Sequence, residues 1–247
     1  MNLDTFFQHL INALQWGSFY ALIALGYSMV YGILMLFNFA HGDIFMAGAY
    51  IGLFISLALV SVSNLGLLAL PNWLIFILTL VLAMIGTACL GMIVERVAYR
   101  PLRDAPRASA AITGLMVGIL LETSNLLALG ASRRNFPPLI ETKVYQIGGV
   151  SFTNTKIMIV ALSVLVMLAL QLFVRKTKLG MAMRAMCYDY FVVPLMGVSI
   201  NHIASLTFAI GSALAAVAGI LFCIAYPVLE PYMGLLIGWK AFVCAIL

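Results

Sequence analysis

Two carboxylates stand out by position. Asp43 closes the polar insert Asn38-Phe39-Ala40-His41-Gly42-Asp43, and Glu122 lies near the middle of a later apolar stretch. A carboxylate in apolar surroundings must be neutralised by a proton or by a partner. The insert reads either as a helix break that lines a polar pathway or as a turn at the level of lipid headgroups. Glu122 reads as a substrate contact, a proton carrier or a hydrogen bond between helices. His41 and Asp43 offer only two ligands, which makes no metal site. There is no GxSxG, Walker A or HExxH motif, so the sequence predicts no enzyme and no cofactor. Energy for any work must come from an ion gradient or from another subunit.

The surroundings of these residues are those of a membrane protein. Hydrophobic residues make up 64% of 247 positions and charged residues 9%. Soluble domains carry about 25% charged residues. No Asp, Glu, Lys or Arg occurs in residues 44–94, far more than the roughly 20 apolar residues that span hydrocarbon. The fold class is therefore all-α, a polytopic helix bundle of about six to seven spans. Spans are expected at about residues 10–37, 44–60, 73–94, 108–129, 157–174 and 203–225. A further apolar element starts near 239–247 and breaks off without a closing polar segment, so more chain is expected beyond it. Residues 144–152, with Gly148-Gly149, predict a short hairpin.

Basic residues orient the bundle. Arg96, Arg100, Arg103, Arg107, Arg175, Lys176, Lys178 and Arg184 lie in two segments, 95–107 and 175–202, that two spans separate. The segment between those spans holds Arg133, Arg134, Lys143 and Lys156. The excess places 95–107 and 175–202 in the cytoplasm and 130–156 outside. Three complete spans before Arg96 would put the N-terminus outside too. Cys89, Cys187, Cys223 and Cys244 are scattered; Cys89, Cys223 and Cys244 read as small apolar residues in helices. Gly211, Ala215 and Gly219 recur every fourth residue, a spacing that lets helix backbones approach closely.

Four stretches carry a family resemblance. GYSMVYGILMLFNFAHGDIFMAGAY (26–50), ERVAYRPLR (95–103), LTFAIGSALAAVAG (206–219) and the run from PYMG to WKAF (231–242) occur in order along nearly the whole chain. They resemble the permease subunits of bacterial branched-chain amino-acid ABC transporters, and in particular the first of the two paired permeases. The resemblance implies one permease domain, 1–247, in the inner membrane. It implies import of leucine, isoleucine and valine with a second homologous permease, two cytoplasmic ATPases and a periplasmic binding protein. It places Asn38, His41, Gly42 and Asp43 along the path or in its core; Glu122, the further path candidate, departs from the family pattern, which leads one to expect a neutral amide there. It assigns 184–197 as the helix that couples to the ATPase, with Arg184, Tyr188, Asp189, Tyr190, Phe191 and Gly197 as its candidates. The stretch after Asp189 is apolar, and Pro194 would break a helix. The alternatives are a permease for urea or short amides and an ion-coupled secondary transporter using Asp43 and Glu122.

Overall fold

The first helix outruns the membrane. The computed structural model describes residues 3–66, 70–103, 105–189 and 193–247. α1 spans Leu3–Leu34, which at 1.5 Å per residue measures about 48 Å against a hydrocarbon core of about 30 Å. It starts earlier than its hydropathy suggests because its polar first turns have partners. The Gln8 side chain accepts from the Ser151 N–H at 2.9 Å, and Asn12 accepts from Lys156 Nζ at 2.6 Å. It stops before Phe37 because the backbone reverses at Met35, whose φ of 53° is left-handed. No glycine marks that turn, which costs about 1 kcal/mol.

The following helices are α2 His41–Asn64, α3 Asn72–Val94, α4 Arg107–Leu129, α5 Asn154–Lys176, α6 Lys178–Tyr188, α7 Ile200–Ala225 and α8 Met233–Ile246. Among the described residues six helices, α1 to α5 and α7, are long and apolar enough to cross a membrane. α7 is the axis of the bundle and packs on α1, α2 and α3. Small residues make this possible. A Cβ on Gly219 would lie 2.9 Å from the Phe45 carbonyl, and one on Gly211 would meet the Gly26 carbonyl at 3.4 Å. Ala215 is fully buried between them. The partners of the small-residue face are thus helices of the same chain. α4 and α5 lie outside; about 11% of each is buried, against 72% of α7.

The two ends of the bundle differ. At one end the hairpin β2 Val144–Ile147 and β3 Val150–Thr153 sits over the start of α1, turning through Gly148-Gly149. Beside it β1 Arg134–Asn135 pairs antiparallel with β4 Val228–Leu229, a long-range pairing with no signal in the sequence. At the other end α6 packs Met183 and Met186 on Ile33 of α1 and Ile203 of α7. The hydroxyl of Thr177 caps α6 by accepting from the Gly180 N–H at 3.0 Å. Residues 184–197, expected as one helix, are divided. α6 ends at Tyr188, and a separate 3-10 turn, Val193–Met196, holds Pro194 and leads to Gly197 at φ 77°. Proline lacks the N–H that a continuing helix would need.

A buried ion pair closes that same end. α3 runs into one π turn, Glu95–Tyr99, and a 3-10 turn, Arg100–Leu102. Glu95 is 1% exposed. Its carboxylate accepts from the Arg103 guanidinium and, at 2.6 Å, from the Ser205 hydroxyl. Arg103 also donates to Asn201 Oδ1 at 2.6 Å. This network fastens the end of α3 to the start of α7.

Arg103→Ala leaves Glu95 as a buried, unpaired anion. It is expected to lower stability by about 3–5 kcal/mol, measured by unfolding in detergent; Arg103→Ala/Glu95→Ala should cost less than the sum of the two single changes. For topology, Lys178→Cys should react with an impermeant thiol reagent only from the cytoplasm and Glu141→Cys only from outside, in a variant without native cysteines. Reaction of both from one side would overturn the arrangement.

Candidate functional site

The break between α1 and α2 lies deep in the bundle. The ring of His41, the first residue of α2, packs against Gly26 of α1 and near Gly211 of α7. α1 continues from Gly26 to Leu34, so the start of α2 sits about 12 Å inside the end of α1. Irregular backbone at such depth survives only where protein or a water-filled cavity satisfies it. The site is built here.

Asn38 anchors the break. Its Oδ1 accepts from the Tyr99 hydroxyl at 2.9 Å. It is buried, and its Nδ2 has no hydrogen-bond partner among the described residues. His41 is also buried, with its ring 4.7 Å from that of Tyr27 and its Nε2 unpartnered. It faces α1 and α7 and does not line the cavity beside Asp43. Gly42 meets α8 backbone to backbone, since a Cβ there would lie 2.7 Å from the Gly238 Cα. Asp43, one residue on, points toward α4. A Cβ on Gly118 would overlap its carboxylate, and Glu122 is the acidic neighbour one turn further along α4. Asn125 follows, donating to Met46 Sδ at 3.7 Å. α4 therefore lies along α2 through Gly118, Glu122 and Asn125.

Gly42, Asp43 and Glu122 meet at one cavity of about 130 Å³, against the roughly 10–15 Å³ that one water needs. Its other walls are Tyr27 of α1, Phe39 of the break, Leu115 and Ile119 of α4, and Gly234, Leu235, Gly238, Trp239 and Phe242 of α8. It opens sideways between α4 and α8, where Ile119 and Trp239 are exposed. Among the described residues no Lys, Arg or His lines it. Two helix starts offset part of the negative charge. Asp43 stands in the first turn of α2, and a Cβ on Gly234, in the first turn of α8, would lie 3.0 Å from Asp43 Oδ1. The free N–H groups of a helix start favour a carboxylate.

The aromatic wall was not legible from residue types alone. Tyr27, Phe39, Trp239 and Phe242 look like lipid-facing or core residues until α1, the break and α8 converge. Their signal lay in the motifs at 26–50 and 231–242. The remaining candidates lie elsewhere. Arg184, Tyr188 and Asp189 are exposed at the α6 end, and the Arg184 guanidinium donates to the Arg175 carbonyl at 3.4 Å. Tyr190 and Phe191 lie outside the described residues.

Comparison with known proteins decides the family. Residues 9–247 match the family described as branched-chain amino acid transport system / permease component. The chain belongs to this family. The permease is 39% identical over 246 residues to the high-affinity branched-chain amino acid transport system permease protein BraD of Pseudomonas aeruginosa, covering 98% of this chain and 78% of that protein. It is 37% identical over 247 residues to the corresponding LivH of Escherichia coli, with the same coverage. A probable branched-chain amino acid transport permease of Methanocaldococcus jannaschii is 25% identical over 210 residues, covering 84% of this chain and 63% of that protein. No solved structure matches the chain. A permease component is one part of a transport system, and this one is a multi-pass membrane protein. Neither the amide permease nor the ion-coupled transporter is favoured by these relatives.

Gly118→Ala is expected to push the Asp43 carboxylate aside and to destabilise the permease by about 1–3 kcal/mol. Gly32→Ala, in open space within α1, should instead be neutral or stabilising by up to about 1 kcal/mol. Melting in detergent compares the two; a drop of equal size in both would refute the close approach of α4.

Proposed function

We propose that this permease is one of two paired membrane subunits of an ATP-driven importer of branched-chain amino acids in a bacterial inner membrane. It works with a second homologous permease, two cytoplasmic ATPases and a periplasmic binding protein. One observation carries the reading. A cavity with two buried carboxyl groups opens on the lateral face of the bundle, at the depth of a broken helix. Lipid cannot face such groups without a large penalty, so that face is one that protein must cover. A second permease seated against α4 and α8 would cover it and enclose a path between the subunits. Leu115, Ile119, Leu235 and Trp239 would then line the path beside Asp43 and Glu122.

The chain supplies no phosphate-binding loop, so it acts as a transport subunit without its own ATPase site. The ATPase docks at the α6 end. Met183 and Met186 are committed to the bundle, whereas Tyr188, Leu195 and Met196 are exposed by 77% or more. Bulky apolar side chains this exposed beyond the membrane suit anchors in a partner's groove. Arg184, Asp189 and Gly197 belong to the same end of the bundle, and Tyr190 and Phe191, which lie outside the described residues, are candidates for the same role by sequence.

The purified permease should not hydrolyse ATP, and leucine uptake by the assembled system should stop when the nucleotide site of the ATPase is inactivated. Uptake that persists and follows the proton gradient would overturn the reading. Tyr188→Asp should reduce ATPase co-purification at least about tenfold with the permease still inserted, as loss of an interface anchor does.

A further inference from the structure

The cavity lacks a positive charge. Asp43 and Glu122 are 6% and 8% exposed. Each keeps one carboxylate oxygen, Oδ1 of Asp43 and Oε1 of Glu122, without a hydrogen-bond partner, and both side chains line the same space. The two carboxyl groups also face each other in a side-chain hydrogen bond, and a buried charge without a further partner costs several kcal/mol. The starts of α2 and α8 compensate Asp43 in part. Glu122 lies in the body of α4, where no helix end can do the same. The Tyr27 oxygen accepts from the Gly42 N–H, which holds this ring at the edge of the same space. Around them stand the rings of Phe39, Trp239 and Phe242, with Phe39 and Phe242 centroids 4.9 Å apart. Aromatic faces attract a cation.

We infer that this cavity binds the ammonium group of the amino acid in transit, with Asp43 and Glu122 accepting its N–H groups and the aromatic rings beside it. An ammonium group supplies the missing charge and up to three donors, matching the two free acceptor oxygens. Leu115, Ile119 and Leu235 continue the wall with apolar surface for an aliphatic side chain. The inference rests on the reading of the chain as a branched-chain amino-acid permease. It goes beyond that reading by naming the part of the substrate that the carboxyl pair takes. A metal ion would look for further oxygen ligands, and the rest of the lining is aromatic, aliphatic or glycine.

The test uses the complete transporter in proteoliposomes with the same binding protein throughout. Isopentylamine keeps the ammonium group and lacks the carboxylate; 4-methylpentanoate is the reverse. Isopentylamine should inhibit L-leucine uptake, and Glu122→Gln in the permease should weaken that inhibition at least about tenfold, equivalent to the loss of about 1.4 kcal/mol. Inhibition by 4-methylpentanoate should not change. Because only the permease is altered, such a shift cannot arise in the binding protein. A second measurement needs no variant. L-leucine and isopentylamine should slow modification of Asp43 or Glu122 in the wild-type transporter by dicyclohexylcarbodiimide, and 4-methylpentanoate should not. Equal inhibition of wild type and Glu122→Gln by isopentylamine, with no protection of either carboxyl group, overturns the inference while leucine uptake leaves the proposed function standing. Absence of leucine uptake by the wild-type transporter overturns the proposed function instead.

Discussion

Hydrocarbon offers no hydrogen bonds, and the region around residues 35–43 is organised by that fact. A backbone that stops being helical at membrane depth must place its polar groups against protein. Here the requirement is met from four directions. Tyr99 donates to Asn38, α1 and α7 enclose His41, α8 covers Gly42 by direct backbone contact, and α4 brings Gly118 against Asp43. Each covering helix approaches through a residue with little or no side chain, because a normal side chain would hold it too far away. The small residues of this permease are therefore concentrated where the break must be sealed.

The same constraint explains why α7 sits at the centre. A helix surrounded by α1, α2 and α3 cannot present large side chains on every face. Gly211, Ser212, Ala215, Ala216 and Gly219 give it a slender waist. Dispersion contacts between closely spaced backbones replace the hydrophobic drive that operates in water. Its start is then fixed to the end of α3 by the buried network of Glu95, Arg103, Asn201 and Ser205.

Membrane class, most spans, the Gly148-Gly149 hairpin and the short helix α6 were legible in the sequence because each depends on local composition. Hydropathy over a helix length needs no knowledge of neighbours. The turn at Met35 was not legible, since left-handed backbone usually announces itself by glycine and this position has none. The β1–β4 pairing was hidden because its strands are two residues each and far apart in the chain. The polar insert at 38–43 could be seen, but not which of its side chains meet. His41 and Asp43 are two residues apart and face opposite sides of α2, one into the bundle and one into the cavity. Glu122 joined Asp43 only when α4 came to rest along α2. That contact is tertiary, and a single sequence carries no record of it beyond the glycine one turn before Glu122.

The cavity and the α6 end are connected by one rigid element. Ile33, in the last turn of α1, packs on Met183 and Met186 of α6. Tyr27 of the same helix lines the cavity, six residues or about 9 Å away along the axis. An α-helix with its hydrogen bonds intact moves as a body over so short a length. A shift of α6 therefore displaces Tyr27 relative to Asp43 unless α1 breaks. The start of α2 is held to the same helix, because the His41 ring packs on Gly26 and Tyr27 of α1. The break thus sets Asp43 deep in the bundle, where α4 brings Glu122 to meet it.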